Sequence, residues 1–142
     1  MSLAAGRCAR PFFMSSFLDY PSLAALAAQS DAVTQPCACT RSLSAAWESQ
    51  PVSFPEAQLR QVGTLRESAY DEPTFDEYHP AGTRFWSPDA PISPRHYPAN
   101  RSDVWACTLC GRHFLRYVEG GGYFVDQRVR RLSAALLADA PL

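Results

Sequence analysis

The alternation of apolar and polar side chains is most regular in the last third of the chain. Residues 104–106 form a short apolar run, residues 112–119 divide into two alternating sets of side chains, and residues 123–125 resume an extended pattern after three glycines. Period-two alternation is typical of half-buried strands, and a glycine-rich break between two such runs is typical of a hairpin. We therefore predict a three-stranded antiparallel meander at the C-terminal end.

A helical spacing of apolar residues occurs earlier, within residues 22–29. This segment follows Pro21 and is rich in strong helix formers. Leu23, Leu26 and Ala27 fall on one face of a helix. The pattern predicts a short helix with one apolar side.

Two other segments show helical spacing. Apolar residues recur at every third position in residues 55–68, and Ser53 and Glu56 have the spacing of a capping box. Gly63 lowers the helical propensity of this segment by about 1 kcal/mol relative to alanine. After residue 125 the spacing also becomes helical, which predicts a closing helix over residues 126–138. The apolar positions concerned are Leu59, Val62, Leu65, Val125, Val129, Leu132 and Leu136.

Proline and aromatic residues dominate the middle of the chain. The chain has twelve prolines, and those in residues 51–98 leave little room for continuous helices or strand ladders. Aromatic side chains between the prolines supply enough apolar area to hold such a loop against a core. They are Phe75, Tyr78, Phe85, Trp86 and Tyr97. We expect residues 71–101 to form an ordered wrap rather than a linker.

The composition indicates the source of the protein and its location in the cell. All thirteen basic residues are arginine, which is typical of a GC-rich genome, and we interpret the source as bacterial. The net charge of −1 argues against a general affinity for polyanions. The apolar stretch at residues 11–18 lacks a small-residue cleavage site, and no segment approaches the ~20 apolar residues of a membrane span. We therefore expect a cytoplasmic protein that does not associate with membranes and whose cysteines stay reduced.

Four of the five cysteines form two close pairs. Cys107 and Cys110 are separated by two residues and followed by Gly111, and Cys37 and Cys39 are separated by one. Two thiolates with a two-residue gap can turn toward one Zn²⁺, and a glycine after the second allows a tight backbone turn. This spacing favours a metal site over a random distribution of thiols.

Residues 104–118 resemble the knuckle of zinc ribbons and rubredoxin-like sites. In those families a second knuckle with the same two-residue gap completes the tetrahedron, whereas this chain offers the shorter Cys-x-Cys pair far upstream. The resemblance implies a zinc ion, and we predict that Cys37, Cys39, Cys107 and Cys110 bind it. Alternative ligands are His79, His96, His113 and Cys8.

Other interpretations of the cysteines stay open. They can be buried small hydrophobes or reduced thiols without a metal. A redox role needs a low-pKa thiol at a helix N-terminus after a strand, which the strand pattern after Cys110 does not offer. Haem attachment needs histidine where Gly111 stands. His113 either lies near the metal as a hydrogen-bond donor or is a half-exposed strand residue.

These observations together predict the fold class and the domain limits. We expect an α+β fold: a small zinc-stabilised domain with a C-terminal three-stranded antiparallel meander, two or three helices and long proline-rich ordered loops. Residues 1–20 form an N-terminal tail, and residues 21–142 form a single zinc-binding domain, since the chain is too short for two comfortable cores.

The functional hypothesis is a non-enzymatic zinc-binding protein that acts through protein–protein interaction, as an adaptor or an immunity-like accessory protein. A nucleic-acid-binding zinc ribbon is the alternative, and it requires Arg112, Arg116, Arg128 and Arg130 to share one face. A thiol redox protein is the second alternative, with Cys107 as its reactive thiolate.

Overall fold

A five-stranded antiparallel sheet forms the centre of the protein. The computed structural model describes residues 16–142. The strands are β1 (Glu48–Ser49), β2 (Leu59–Thr64), β3 (Asp103–Cys107), β4 (His113–Gly121) and β5 (Phe124–Arg131), in the spatial order β1-β5-β4-β3-β2. The helices are α1 (Tyr20–Asp31) and the one-turn α2 (Ala38–Arg41), with short 3-10 turns at Glu56–Gln58, Ala99–Arg101 and Ala134–Leu136.

The predicted meander and the first helix are confirmed, and the predicted fold class is wrong. β3, β4 and β5 pair in sequence as antiparallel neighbours. α1 begins after Asp19, whose side chain accepts a hydrogen bond from the Ser22 N–H at 2.9 Å. Within residues 16–142, however, α1 is the one helix longer than a single turn. The protein is therefore mostly β rather than the helix-containing α+β domain expected.

The helix predicted over residues 55–68 is replaced by β2. The capping box does not form, since the Ser53 hydroxyl donates to the Ser42 hydroxyl at 3.1 Å. Pairing with β3 shifts register between Gln61 and Gly63, which marks a bulge. Regular alternation places Leu59 on one side of the sheet and Val62 on the other, and the extra residue of the bulge returns Leu65 to the side of Val62. The three-residue spacing of apolar side chains therefore fits a bulged strand. Strand pairing here overrides a helix-like local pattern.

The closing helix predicted over residues 126–138 is also wrong. β5 pairs with β4 from Phe124 to Arg131, and only the short turn Ala134–Leu136 follows it. The helical spacing of apolar residues arises because Val129 and Leu132 are buried on opposite sides of the sheet. A long hairpin partner therefore decides the conformation of this segment.

Each face of the sheet carries its own core. Val104 and Leu115 are register partners on one face, where α1 and the proline-rich segment cover them. We call this the helix-side core: Leu23, Ala27, Trp47, Leu65, Ile92, Ala99, Val104, Leu115, Tyr117 and Leu132. The opposite face carries the cysteine-side core: Cys39, Phe54, Cys107, Phe114 and Val129.

The proline-rich segment wraps the helix-side core, as its aromatic residues predict. Ile92 is 2 % exposed within that core, and Phe85 packs against it beside Trp47, with ring centroids 6.4 Å apart. Phe75 and Tyr97 contact each other at 5.5 Å. No helix or strand ladder interrupts the wrap before the turn at Ala99–Arg101.

The N-terminal tail is only partly within the described residues, because residues 1–15 lie outside them. Residues 16–18 pair with the end of β2, since the Thr64 N–H donates to the Ser16 carbonyl at 3.0 Å and the Leu18 N–H donates to the Thr64 carbonyl at 2.9 Å. The division into a tail over residues 1–20 and a domain over residues 21–142 stays a prediction. No helix within residues 16–142 is long and apolar enough to cross a membrane.

Candidate metal centre

Four cysteine sulfurs converge on the cysteine-side face of the sheet. The Sγ atoms of Cys37, Cys39, Cys107 and Cys110 all lie within 4.8 Å of one another. The Sγ atoms of Cys37 and Cys107 are 3.8 Å apart, and those of Cys39 and Cys110 are 3.5 Å apart. A disulfide bond is about 2.05 Å long, so these are free thiols. Tetrahedral coordination with bonds of about 2.3 Å places sulfurs roughly 3.8 Å apart, so the cluster has the dimensions of a metal site.

The Cys107–Cys110 half of the site is a turn between β3 and β4. The Cys107 N–H donates to the Arg112 carbonyl at 2.8 Å, and the Gly111 N–H donates to the Cys107 carbonyl at 2.9 Å. Gly111 has φ +92, a conformation that favours glycine. The Arg112 N–H donates to Cys110 Sγ at 3.5 Å. The closing hydrogen bonds thus fix the loop with both sulfurs on one side.

The Cys37–Cys39 half of the site lies at the start of α2. Cys37 is the extended residue that precedes the helix, and Cys39 is inside its single turn. The Thr40 N–H donates to the Cys37 carbonyl at 3.2 Å and closes that turn. The change from extended to helical backbone brings two side chains with a one-residue gap to the same side. Both sulfurs of this pair therefore face those of Cys107 and Cys110.

The thiols respond differently to this environment. The pKa of Cys37 is lowered to about 7, and the nearby backbone N–H of Cys39 is the main cause. The two groups do not have the geometry of a regular N-cap hydrogen bond. Burial is the main cause that raises the pKa of Cys39 and that of Cys107. Without a cation the two buried thiols therefore stay protonated at neutral pH, and binding of a metal would release their protons.

The three histidines do not join the sulfur cluster. The ring of His79 contacts Thr83 and Glu77, each at 2.7 Å, and the ring of His96 contacts Ser93 at 2.7 Å. The rings of His79 and His96 therefore bind other residues of the proline-rich loop. The remaining alternative ligand outside the four, Cys8, lies outside the described residues.

His113 is near the cysteines in sequence but lies on the other face of the sheet. Its register partner is Ala106, the residue before Cys107, and neighbours along a strand point to opposite faces. His113 is 6 % exposed, and burial is the main cause that lowers its pKa. The expectation of a half-exposed residue or a donor to the metal is therefore not met.

Two residues of the site were not identified from the sequence. Arg112 places Nη1 3.6 Å from Cys110 Sγ and donates from Nη2 to the Val33 carbonyl at 3.2 Å. Gln58 places its side-chain amide against Cys107 and Cys37. The basic residue directly after Cys-x-x-Cys-Gly was a local signal for Arg112. No local signal existed for Gln58, because its contact depends on the pairing of β2 with β3.

Comparison with protein-family models, curated proteins and solved structures finds no match for this chain. Support for a metal site therefore comes from the geometry of the cysteine cluster itself, which is compatible with a bound ion but does not specify a zinc ribbon.

Proposed function

We propose that this protein is a non-enzymatic Zn²⁺-binding domain that acts by binding a protein partner. The observation that carries the proposal is the convergence of four free cysteine sulfurs within 4.8 Å of one another. Four thiolates suit zinc, which takes tetrahedral sulfur ligands in structural sites that leave no open position for a substrate. The ion would join α2 to the β3–β4 turn, and a structural rather than catalytic role follows.

The end of the β4–β5 hairpin is the surface proposed for the partner. Pairing with β3 stops at Arg116, and pairing with β1 covers only Val129 and Arg128 of β5, so the hairpin end at residues 118–125 extends beyond both neighbours. Of its three consecutive apolar side chains Tyr123, Phe124 and Val125, the least exposed is 74 % exposed. Apolar side chains grouped on an open ribbon favour a protein partner over solvent.

The arginines do not favour the nucleic-acid alternative. Arg130 is 1 % exposed and donates to the carbonyls of Ala45 and Ala90. Arg116 lies on the opposite face of the sheet, where it is 7 % exposed and pairs with Glu56 at 3.3 Å. Because these two arginines are buried on opposite faces, the four arginines of the alternative do not form one phosphate-binding surface.

Metal analysis of the purified protein tests the zinc centre. We expect about one zinc per chain, because four thiolates complete one tetrahedron. Single Cys→Ser changes at 37, 39, 107 and 110 should each lower the zinc content, whereas Cys8→Ser should leave it unchanged. Wild-type protein prepared with zinc present and found to be metal-free would overturn the proposal.

Matched variants of two exposed tyrosines test the partner surface. Tyr123 lies at the hairpin end, and Tyr70, which is 96 % exposed, lies directly before the proline-rich wrap. Partner proteins should be retained by the purified wild-type chain. We expect Tyr123→Ser to abolish this retention and the control variant Tyr70→Ser to leave it unchanged. Retention that falls steeply with salt in both variants would instead indicate binding to phosphates.

A further inference from the structure

Gln58 contacts one sulfur from each half of the cysteine cluster without being a ligand. Its Oε1 lies 3.5 Å from Cys107 Sγ and 3.8 Å from Cys37 Sγ. The two sulfurs come from segments 70 residues apart. The amide therefore spans the seam between α2 and the β3–β4 turn.

The backbone of Gln58 is fixed to the same turn. Its carbonyl accepts a hydrogen bond from the Thr108 N–H at 2.8 Å and another from the Thr108 hydroxyl at 2.9 Å. Its own N–H donates to the Pro55 carbonyl at 3.0 Å. Because these bonds hold the residue at both ends, its amide stays next to the sulfurs.

Metal binding changes what the sulfurs need from this amide. A thiol can donate to Oε1, whereas a metal-bound thiolate only accepts hydrogen bonds. Rotating the amide by half a turn presents Nε2 to the sulfurs, and Nε2 has no hydrogen-bond partner to lose among residues 16–142. Gln58 is partly exposed, so water can supply a hydrogen bond to the displaced oxygen.

We propose that Gln58 is a positioning residue of the metal centre, whose side-chain N–H group donates to the thiolates of Cys37 and Cys107 and slows release of the ion. The proposal rests on the zinc centre described above. Donors of this kind orient metal ligands and offset their negative charge. Here the donor belongs to neither cysteine pair, so it links the retention of the ion to the position of β2.

The test uses Co²⁺ as a probe, whose thiolate absorption reports binding, together with transfer of Zn²⁺ to a chromogenic chelator. Gln58→Glu has nearly the same shape but adds a negative acceptor, and Gln58→Met removes the donor without adding charge. We expect the affinity for Co²⁺ to fall about 100-fold in the first variant and about 10-fold in the second, with faster zinc transfer in both.

Gln61→Glu is the matched control. It makes the same chemical change three residues along the chain, where the amide donates to the Gly63 carbonyl at 3.4 Å and contacts no sulfur. We expect its affinity to stay within about twofold of the wild type. If the wild type binds one metal and Gln58→Met binds it equally well, N–H donation is overturned. If the wild type binds no metal, the zinc centre itself fails. Equal melting temperatures of the metal-free variants would exclude misfolding.

Discussion

The two faces of the sheet differ in how their cores are stabilised. The helix-side core has ten buried residues, contributed by α1, the proline-rich wrap, β3 and β4, and the residues that flank the other three strands. The cysteine-side core has only five buried residues, and two of them are cysteines. A small apolar core contributes little free energy of folding, and short domains commonly compensate with a metal or a disulfide. The comparison indicates that burial stabilises one face, whereas the other face would gain most from the ion proposed above.

Removal of the metal should give the largest effect and should act on one face. If zinc is present at a thousand times its dissociation constant, chelation removes about 4 kcal/mol of stability. For a chain of this length we expect a fall in Tm on the order of 10 °C. Hydrogen exchange should show loss of protection at residues 37–41 and 107–112, while the amides of α1 remain protected.

An equal loss of protection on both faces would contradict this asymmetry. The matched control is the same chelator added to the Cys107→Ser variant prepared without metal. Chelation should leave the Tm of that variant unchanged.

Two adjacent residues of β4 allow the same comparison by mutation. Phe114 and Leu115 are both fully buried, but Phe114 faces the cysteine-side core, 5.5 Å from the Phe54 ring, and Leu115 faces the helix-side core. Phe114→Ala should cost about 3–5 kcal/mol and Leu115→Ala about 2–5 kcal/mol of unfolding free energy.

Metal binding should separate these two variants even though their stabilities are similar. Phe114→Ala leaves a cavity beside the cysteines and should weaken the affinity for zinc, while Leu115→Ala should leave that affinity unchanged. Denaturant unfolding and metal titration of both variants measure the two effects. Equal losses of metal affinity would mean that the two cores are not independent.

Some elements of the fold can be predicted from the sequence and others cannot. α1 and the β3–β5 meander have strong local patterns, and both were predicted. β2 has apolar residues on both faces of the sheet, and so does the end of β5 together with Leu132, which follows it. The bulge between Gln61 and Gly63 adds to this in β2. Apolar residues divided between two faces imitate helical periodicity, so local pattern alone assigns these segments incorrectly.

The candidate site divides in the same way. The Cys107–Cys110 turn is local, since its spacing and Gly111 already indicate the conformation that the structure has. The convergence of Cys37 with Cys107 joins positions 70 residues apart, and only the residue types suggested it. The contact of Gln58 with both sulfurs depends on strand register, which a single sequence does not encode in any short motif.

The smallest expected effect concerns the reactivity of Cys37, which is partly buried against the cysteine-side core. In the metal-free protein the pKa of Cys37 is lowered to about 7, with the backbone N–H of Cys39 as the main cause, whereas burial raises the pKa of Cys107. The thiolate fraction increases as pH rises through the pKa, so about half of Cys37 should be reactive at pH 7, compared with about 1 % for a thiol of pKa 9.

Alkylation mapped by mass spectrometry between pH 5 and 9 should therefore modify Cys37 before Cys107, with half-maximal rate near pH 7. Saturating zinc should suppress the reaction, and Cys37→Ser should remove the fast phase. Faster modification of Cys107 would instead favour the thiol redox alternative and would mean that this face opens readily without metal.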